Sequence, residues 1–129
     1  MRDPLLVVTA VFGALGVGLG AFGAHGLRGR LGDSLSTWQT ATEYHLVHVA
    51  ALLGVVALAR MSGDVWILRV SGWAFVAGVF AFSGSLYWLA LGGPRWLGPV
   101  TPLGGLAFIV GWLALAAYGV RHGSNGTIG

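Results

Sequence analysis

Residues 70–91 read VSGWAFVAGVFAFSGSLYWLAL, a run without one charged side chain. A helix rises about 1.5 Å per residue, so this run reaches about 33 Å, against a hydrocarbon layer about 30 Å thick. Three more apolar runs of similar length accompany it, Leu5–Ala24, Ala41–Ala59 and Val100–Val120. Water is absent from the bilayer interior, so a spanning backbone must satisfy its own hydrogen bonds, as a helix does. The chain is therefore expected to be all-α, an integral membrane four-helix bundle with short loops. A single transmembrane domain should cover residues 1–129, with helices at about 4–25, 37–60, 65–91 and 102–121. The first run is too long for the apolar part of a signal peptide, and three spans follow it, so it is expected to stay.

Composition agrees. Charged residues make up 9% of the chain and apolar residues 56%, whereas soluble domains carry about 25% charge. There is no cysteine, which excludes disulfides, thiolate metal sites and cysteine nucleophiles. All seven basic residues are arginine, against four acids, and most flank the spans. That distribution suits lipid headgroups; nucleic acid would need a clustered basic face, and none is present. The side holding both termini carries Arg2, Arg60, Arg69 and Arg121, the other Arg28, Arg30 and Arg95. A margin of one charge favours the termini inside under the positive-inside rule and leaves the orientation open.

Helix punctuation falls between the runs. Asp3 can N-cap the first helix with Pro4 in its first turn. Ser36-Thr37-Trp38-Gln39 has capping-box spacing and should start the second. Asp64 can cap the third, and Gly92-Gly93-Pro94 should stop it. Thr101-Pro102 repeats the cap-then-proline arrangement, and Gly123 with a polar tail closes the chain. Trp38, Trp88 and Trp96 should anchor one interface, Trp66 and Tyr118 the other, with Trp73 and Trp112 packed deeper.

Lipid tails are as apolar as leucine, so close packing over small residues must join the helices. Gly13, Gly16, Gly20 and Gly23 recur every three or four residues and share one face of the first helix. Gly78 with Ala74 and Ala81, and Gly111 with Gly104 and Ala107, offer similar surfaces later. These grooves serve either packing within the chain or a seam between copies.

Alternating spans bring unusual residues to one end of the bundle. His25 closes the first helix. Gln39, Glu43, Tyr44, His45 and His48 fall in the first turns of the second. Ser83, Ser85 and Tyr87 occupy the outer half of the third, and Arg95 and Thr101 lead into the fourth. Four segments here, Gly20-Ala21-Phe22-Gly23-Ala24-His25-Gly26-Leu27, Trp38-Gln39-Thr40-Ala41-Thr42-Glu43-Tyr44-His45-Leu46-Val47-His48, Phe82-Ser83-Gly84-Ser85-Leu86-Tyr87 and Gly98-Pro99-Val100-Thr101-Pro102-Leu103-Gly104-Gly105, carry a resemblance. They resemble the four ordered signatures of the family catalogued as domain of unknown function 423, small bacterial inner-membrane proteins with eukaryotic relatives. Trp38 departs from the phenylalanine of that pattern. The resemblance implies a four-helix membrane protein and brings no reaction or catalytic role with it.

His45 and His48 are three apart and share a face beside Tyr44. Three readings stand open: bonding to Ser83, Ser85 or backbone carbonyls, a metal or haem site with His25, and a proton or quinone role. Glu43, the one acid within a span, points about 160° away from His45 beside Gln39. It suits the helix N-terminal dipole and pairing with Arg28 or Arg30, or else proton coupling. Arg28, Arg30 and Arg95 beside two helix N-termini suit an anion or a phospholipid headgroup. With no nucleophile–base set, phosphate loop or metal motif, the expectation is a non-enzymatic packing or accessory protein that binds membrane lipid, a membrane partner or its own copy. The alternatives are a metal, haem or quinone site on His25, His45 and His48, and a small proton-coupled carrier using Glu43. The sequence names no cofactor.

Overall fold

A computed structural model describes residues 3–26, 28–62 and 65–123. The long helices are α1 (Pro4–His25), α2 (Leu35–Ser62), α3 (Trp66–Ala90) and α4 (Val100–Gly123). All four are long and apolar enough to cross a membrane, and no strand occurs among the described residues. The chain is an all-α membrane bundle in which α1 packs on α2, α2 on α3, and α3 on α4.

Some caps form as the residues dictate. The Asp3 carboxylate accepts from the Leu6 amide at 3.2 Å, and Pro4 occupies the first helical position. Gly92 turns the chain after α3 at φ +93°, a conformation open to glycine at little cost. Two others do not form. A short helix, Arg28–Leu31, and a 3₁₀ turn, Gly32–Ser34, lead straight into α2, so Ser36 is already inside a helical path. Its hydroxyl donates back to the Asp33 carbonyl at 3.5 Å instead of capping. Thr101 likewise sits inside α4, which begins at Val100, and its hydroxyl bonds Ser85. Asp64, the polar tail and Arg2 lie outside the described residues.

The third span is not one regular helix. Residues Val79–Ser83 form a π turn, in which the Gly84 amide reaches the Val79 carbonyl five residues back. The serine that ends it and the one two residues on face different neighbours. The Ser83 hydroxyl donates to the Ala41 carbonyl of α2 at 2.8 Å, and the Ser85 hydroxyl meets Thr101 of α4 at 2.6 Å.

Gly13, Gly16, Gly20 and Gly23 all lie under α2. A methyl added at each would meet Val49, Leu46, Thr42 and Trp38 in turn. The groove is thus filled within the chain. Between α3 and α4 the arrangement is reciprocal, with the Phe75 ring over Gly111 and the Phe108 ring over Gly78. Leu52, Val55, Leu68, Phe75, Val79 and Phe108 form the main core. Ser71 adds an interhelical bond to the Gly111 carbonyl at 2.8 Å.

At the end holding the termini, Arg60 pairs with Asp3 at 3.3 Å and Arg121 stands 6.0 Å over the Trp66 ring. The Ser62 and Tyr118 hydroxyls bond each other.

Candidate functional site

Trp38 is not an interfacial anchor. It is buried, its ring lies over Gly23, and its indole N–H donates to the Leu19 carbonyl at 2.9 Å. The absence of a side chain at Gly23 is what admits the ring. Trp38 also packs on Tyr87, with ring centres 4.7 Å apart.

Two helical turns further, α2 presents His45. Gly16 of α1 lies against its ring, which lets the imidazole reach the α1 backbone. Nε2 donates to the Phe12 carbonyl at 2.8 Å, and Nδ1 meets the Tyr87 hydroxyl at 2.9 Å. A carbonyl can only accept, so Nε2 carries the hydrogen and Nδ1 accepts from Tyr87 when the ring is neutral. Tyr87 has a second neighbour, Thr42 Oγ1, at 3.4 Å, and Thr42 in turn donates to the Trp38 carbonyl at 3.1 Å.

His48 is held differently. Its Nδ1 donates to the Tyr44 carbonyl at 2.7 Å, and its Nε2 accepts from the Trp112 indole at 3.0 Å. Indole N–H only donates, so this ring is the Nδ1–H tautomer. It stacks on Phe108 with centroids 3.7 Å apart. Tyr44 completes the aromatic group against Phe82 at 4.6 Å.

The histidines thus bond backbone carbonyls, as one reading had it, but their side-chain partners are Tyr87 and Trp112, not Ser83 and Ser85. They also lie deeper than the rim. Because α2 starts at Leu35, His45 and His48 stand ten and thirteen residues into it, about 15–20 Å along its axis. His25 is exposed at the end of α1, thirteen residues and about 20 Å beyond Phe12. The three histidines therefore do not converge. Among the described residues no three of His, Asp and Glu are grouped to hold a metal ion. A metal on His45 or His48 would have to displace a hydrogen bond already made.

Two recesses flank the seam between α1 and α2. The larger, about 570 Å³, opens between α1 and the π turn of α3 and is walled by Phe12, Leu15, Leu19, Val79, Ala81 and Gly84. His45 and Tyr87 form part of its wall, and Trp88 and Trp96 line it as well. Those tryptophans are exposed and meet edge to face, 6.0 Å between centres, next to the exposed Arg95. The smaller, about 380 Å³, is lined by Gly20, Gly23, Trp38, Gln39, Thr42 and Glu43. Glu43 and Gln39 are exposed on that flank, away from His45. The side chains of Arg28 and Arg30 lie outside the described residues.

Sequence reasoning missed the partners. Thr42 shares a face with His45 at i−3, a signal open to notice. The Phe12 carbonyl leaves no trace in a sequence, and Trp112 read as packing alone.

Relatives put this site in context. Residues 19–105, which hold most of it, match the family described as Protein of unknown function (DUF423). The chain is 41% identical over 118 residues to the UPF0382 membrane protein YwdK of Bacillus subtilis, covering 91% of this chain and 96% of that one. It is 45% identical over 112 residues to the UPF0382 membrane protein SERP0230 of Staphylococcus epidermidis, covering 85% and 89%. The UPF0382 membrane protein SH2409 of Staphylococcus haemolyticus is 46% identical over 112 residues, with the same shares. No solved structure matches. The chain belongs to the DUF423 family of small membrane proteins.

Proposed function

We propose that this protein is a non-enzymatic, multi-pass component of the cell's inner (plasma) membrane that holds one phospholipid. An acyl chain occupies the recess between α1 and α3, and the phosphate sits at Arg95. The observation that carries this reading is the chemistry of the recess wall. The volume of about 570 Å³ falls within the usual range of ligand sites, about 300–1,000 Å³. Its inner wall is mostly hydrocarbon, and the polar side chains set in that wall are bonded inside the protein, His45 to Phe12 and Tyr87, Ser85 to Thr101. An inner wall whose polar groups are already paired suits a ligand segment that has none. The recess is flanked by Trp88 and Trp96, side chains suited to the headgroup level, and Arg95 adjoins them as a cation for a phosphate.

Gly84 supplies the test. It lines the recess, and a methyl placed on it would meet nothing within 4 Å. Gly84→Leu should therefore fill the space without distorting the helix, and replacing a mid-helix glycine adds about 0.5–1 kcal/mol of stability. Native mass spectrometry from lipid nanodiscs should find one phospholipid on the wild type and roughly tenfold less retained by Gly84→Leu, a difference of about 1.4 kcal/mol. Equal retention by the two proteins, or a wild type that emerges bare, sinks the proposal.

A further inference from the structure

We propose that His45 is a proton-binding site inside the membrane-spanning bundle, joined by Tyr87 and Thr42 to the recess that holds Glu43. In the neutral state Nε2–H donates to Phe12, Tyr87 donates to Nδ1, and Thr42 donates to the Trp38 carbonyl. Add a proton at Nδ1 and the line reverses at one point only. Nδ1–H now donates to the Tyr87 oxygen, and the Tyr87 hydrogen turns to Thr42 Oγ1, 3.4 Å away. The Thr42 and Nε2 bonds stay as they were. Every group keeps a partner in both charge states, and the imidazolium gains two charge-assisted bonds. One N–H bond forms and one O–H bond of a hydronium ion breaks, leaving water; no other bond count changes.

His48 is the built-in contrast. Its Nε2 faces the Trp112 indole, which has a hydrogen to give and no lone pair in the ring plane to accept one. Protonating His48 would set two N–H groups against each other. So two histidines three residues apart on one helix differ in kind, one reversible and one locked.

The surroundings of His45 supply no competing charge. Against it from α1 are Phe12 and Gly16, and from α3 Tyr87, its one titratable neighbour on another helix among the described residues. On α2 itself, Glu43 points to the opposite flank and His48 lies one turn on, toward Trp112. Thr42 lines the smaller recess together with Gln39 and Glu43, which gives the proton a polar way in from that flank. The inference does not depend on what the larger recess holds.

Imidazole ¹⁵N NMR in lipid bilayers tests it, with His25→Asn and His122→Asn leaving two histidine signals. Near pH 8, His45 should show the Nε2–H tautomer and His48 the Nδ1–H tautomer. As the pH is lowered stepwise through the acid range, His45 should become imidazolium while His48 stays neutral. Thr42→Val removes the acceptor that only the charged state needs. It should leave the tautomers near pH 8 unchanged and weaken proton binding at His45 about tenfold, one pH unit at the midpoint. Thr42→Ser should titrate as the wild type does. A His45 that stays neutral throughout, a His48 that titrates with it, or a Thr42→Val protein that titrates like the wild type overturns the inference.

Discussion

Gly104→Val should unfold the bundle more readily than any conservative change elsewhere in α4. At Gly104 the α4 backbone meets that of α3, and an added Cβ would stand 2.7 Å from the Phe82 Cα. A flexible side chain can move aside, but a backbone atom inside a helix cannot do so cheaply. The site also adjoins the π turn, which Phe82 helps form, so a shift there disturbs the Ser83 and Ser85 bonds. Over-packing costs about 1–3 kcal/mol in tight interiors, and this contact belongs at about 3 kcal/mol. Two other helical glycines serve as controls. At Gly105 the nearest atom to an added Cβ is 3.9 Å away, and at Gly54 nothing lies within 4 Å. Alanine at either should be neutral or slightly stabilising, as usual for glycine replaced within a helix. Unfolding in mixed micelles with rising denaturing detergent measures all three. A Gly104→Val protein as stable as Gly105→Ala would show that α3 and α4 do not pack this way.

Trp38→Ala should cost about 3–5 kcal/mol, the range for a large aromatic removed from a packed interior. The driving force differs from that in a soluble core, because lipid does not expel apolar groups; what is lost is dispersion contact. The ring fills the space over Gly23, lies against Tyr87 and closes a small cluster with Leu31 and Ala90. Trp38→Phe separates ring from hydrogen bond. It keeps the packing and deletes the donor to Leu19, an interhelical bond worth about 0.6–1 kcal/mol in membranes. The ratio of the two losses, read from the same unfolding curves, should be at least about threefold on these figures. Near-equal losses would put the stabilisation in the hydrogen bond and not in the ring.

Much of the bundle was legible because the bilayer imposes a length and forbids open backbone. The ends of α1 and α3 could be read from Asp3-Pro4 and Gly92-Gly93-Pro94, where a side chain or a backbone preference acts locally. The start of α2 could not, since Gly32–Ser34 continues the helical path by a tighter turn that leaves Ser36 nothing to cap. The spacing of His45 and His48 gave their shared face but not their depth, which depends on that same start. Their partners were out of reach for a further reason: Phe12 and Tyr44 act through carbonyls that every residue possesses. Trp38 misled because an amphipathic ring near a helix end satisfies the rule for interfacial anchors equally well, and only Gly23 opposite the ring, with the Leu19 carbonyl nineteen residues back in the chain, decides otherwise.

The five-residue turn in α3 bears on how this chain tolerates changes of length. A wide turn stores one surplus amino acid as a blister on an otherwise regular rod. Excising one residue between Val79 and Ser83 should let the rod close up, with Tyr87 still aimed at His45 and Ser85 at Thr101. The same excision a turn earlier, among the regular coils of Trp66–Gly78, has no slack to draw on and swings everything beyond it by about 100°. Crosslinking between Ser85→Cys and Thr101→Cys reports which has happened: it should survive the first deletion and vanish with the second.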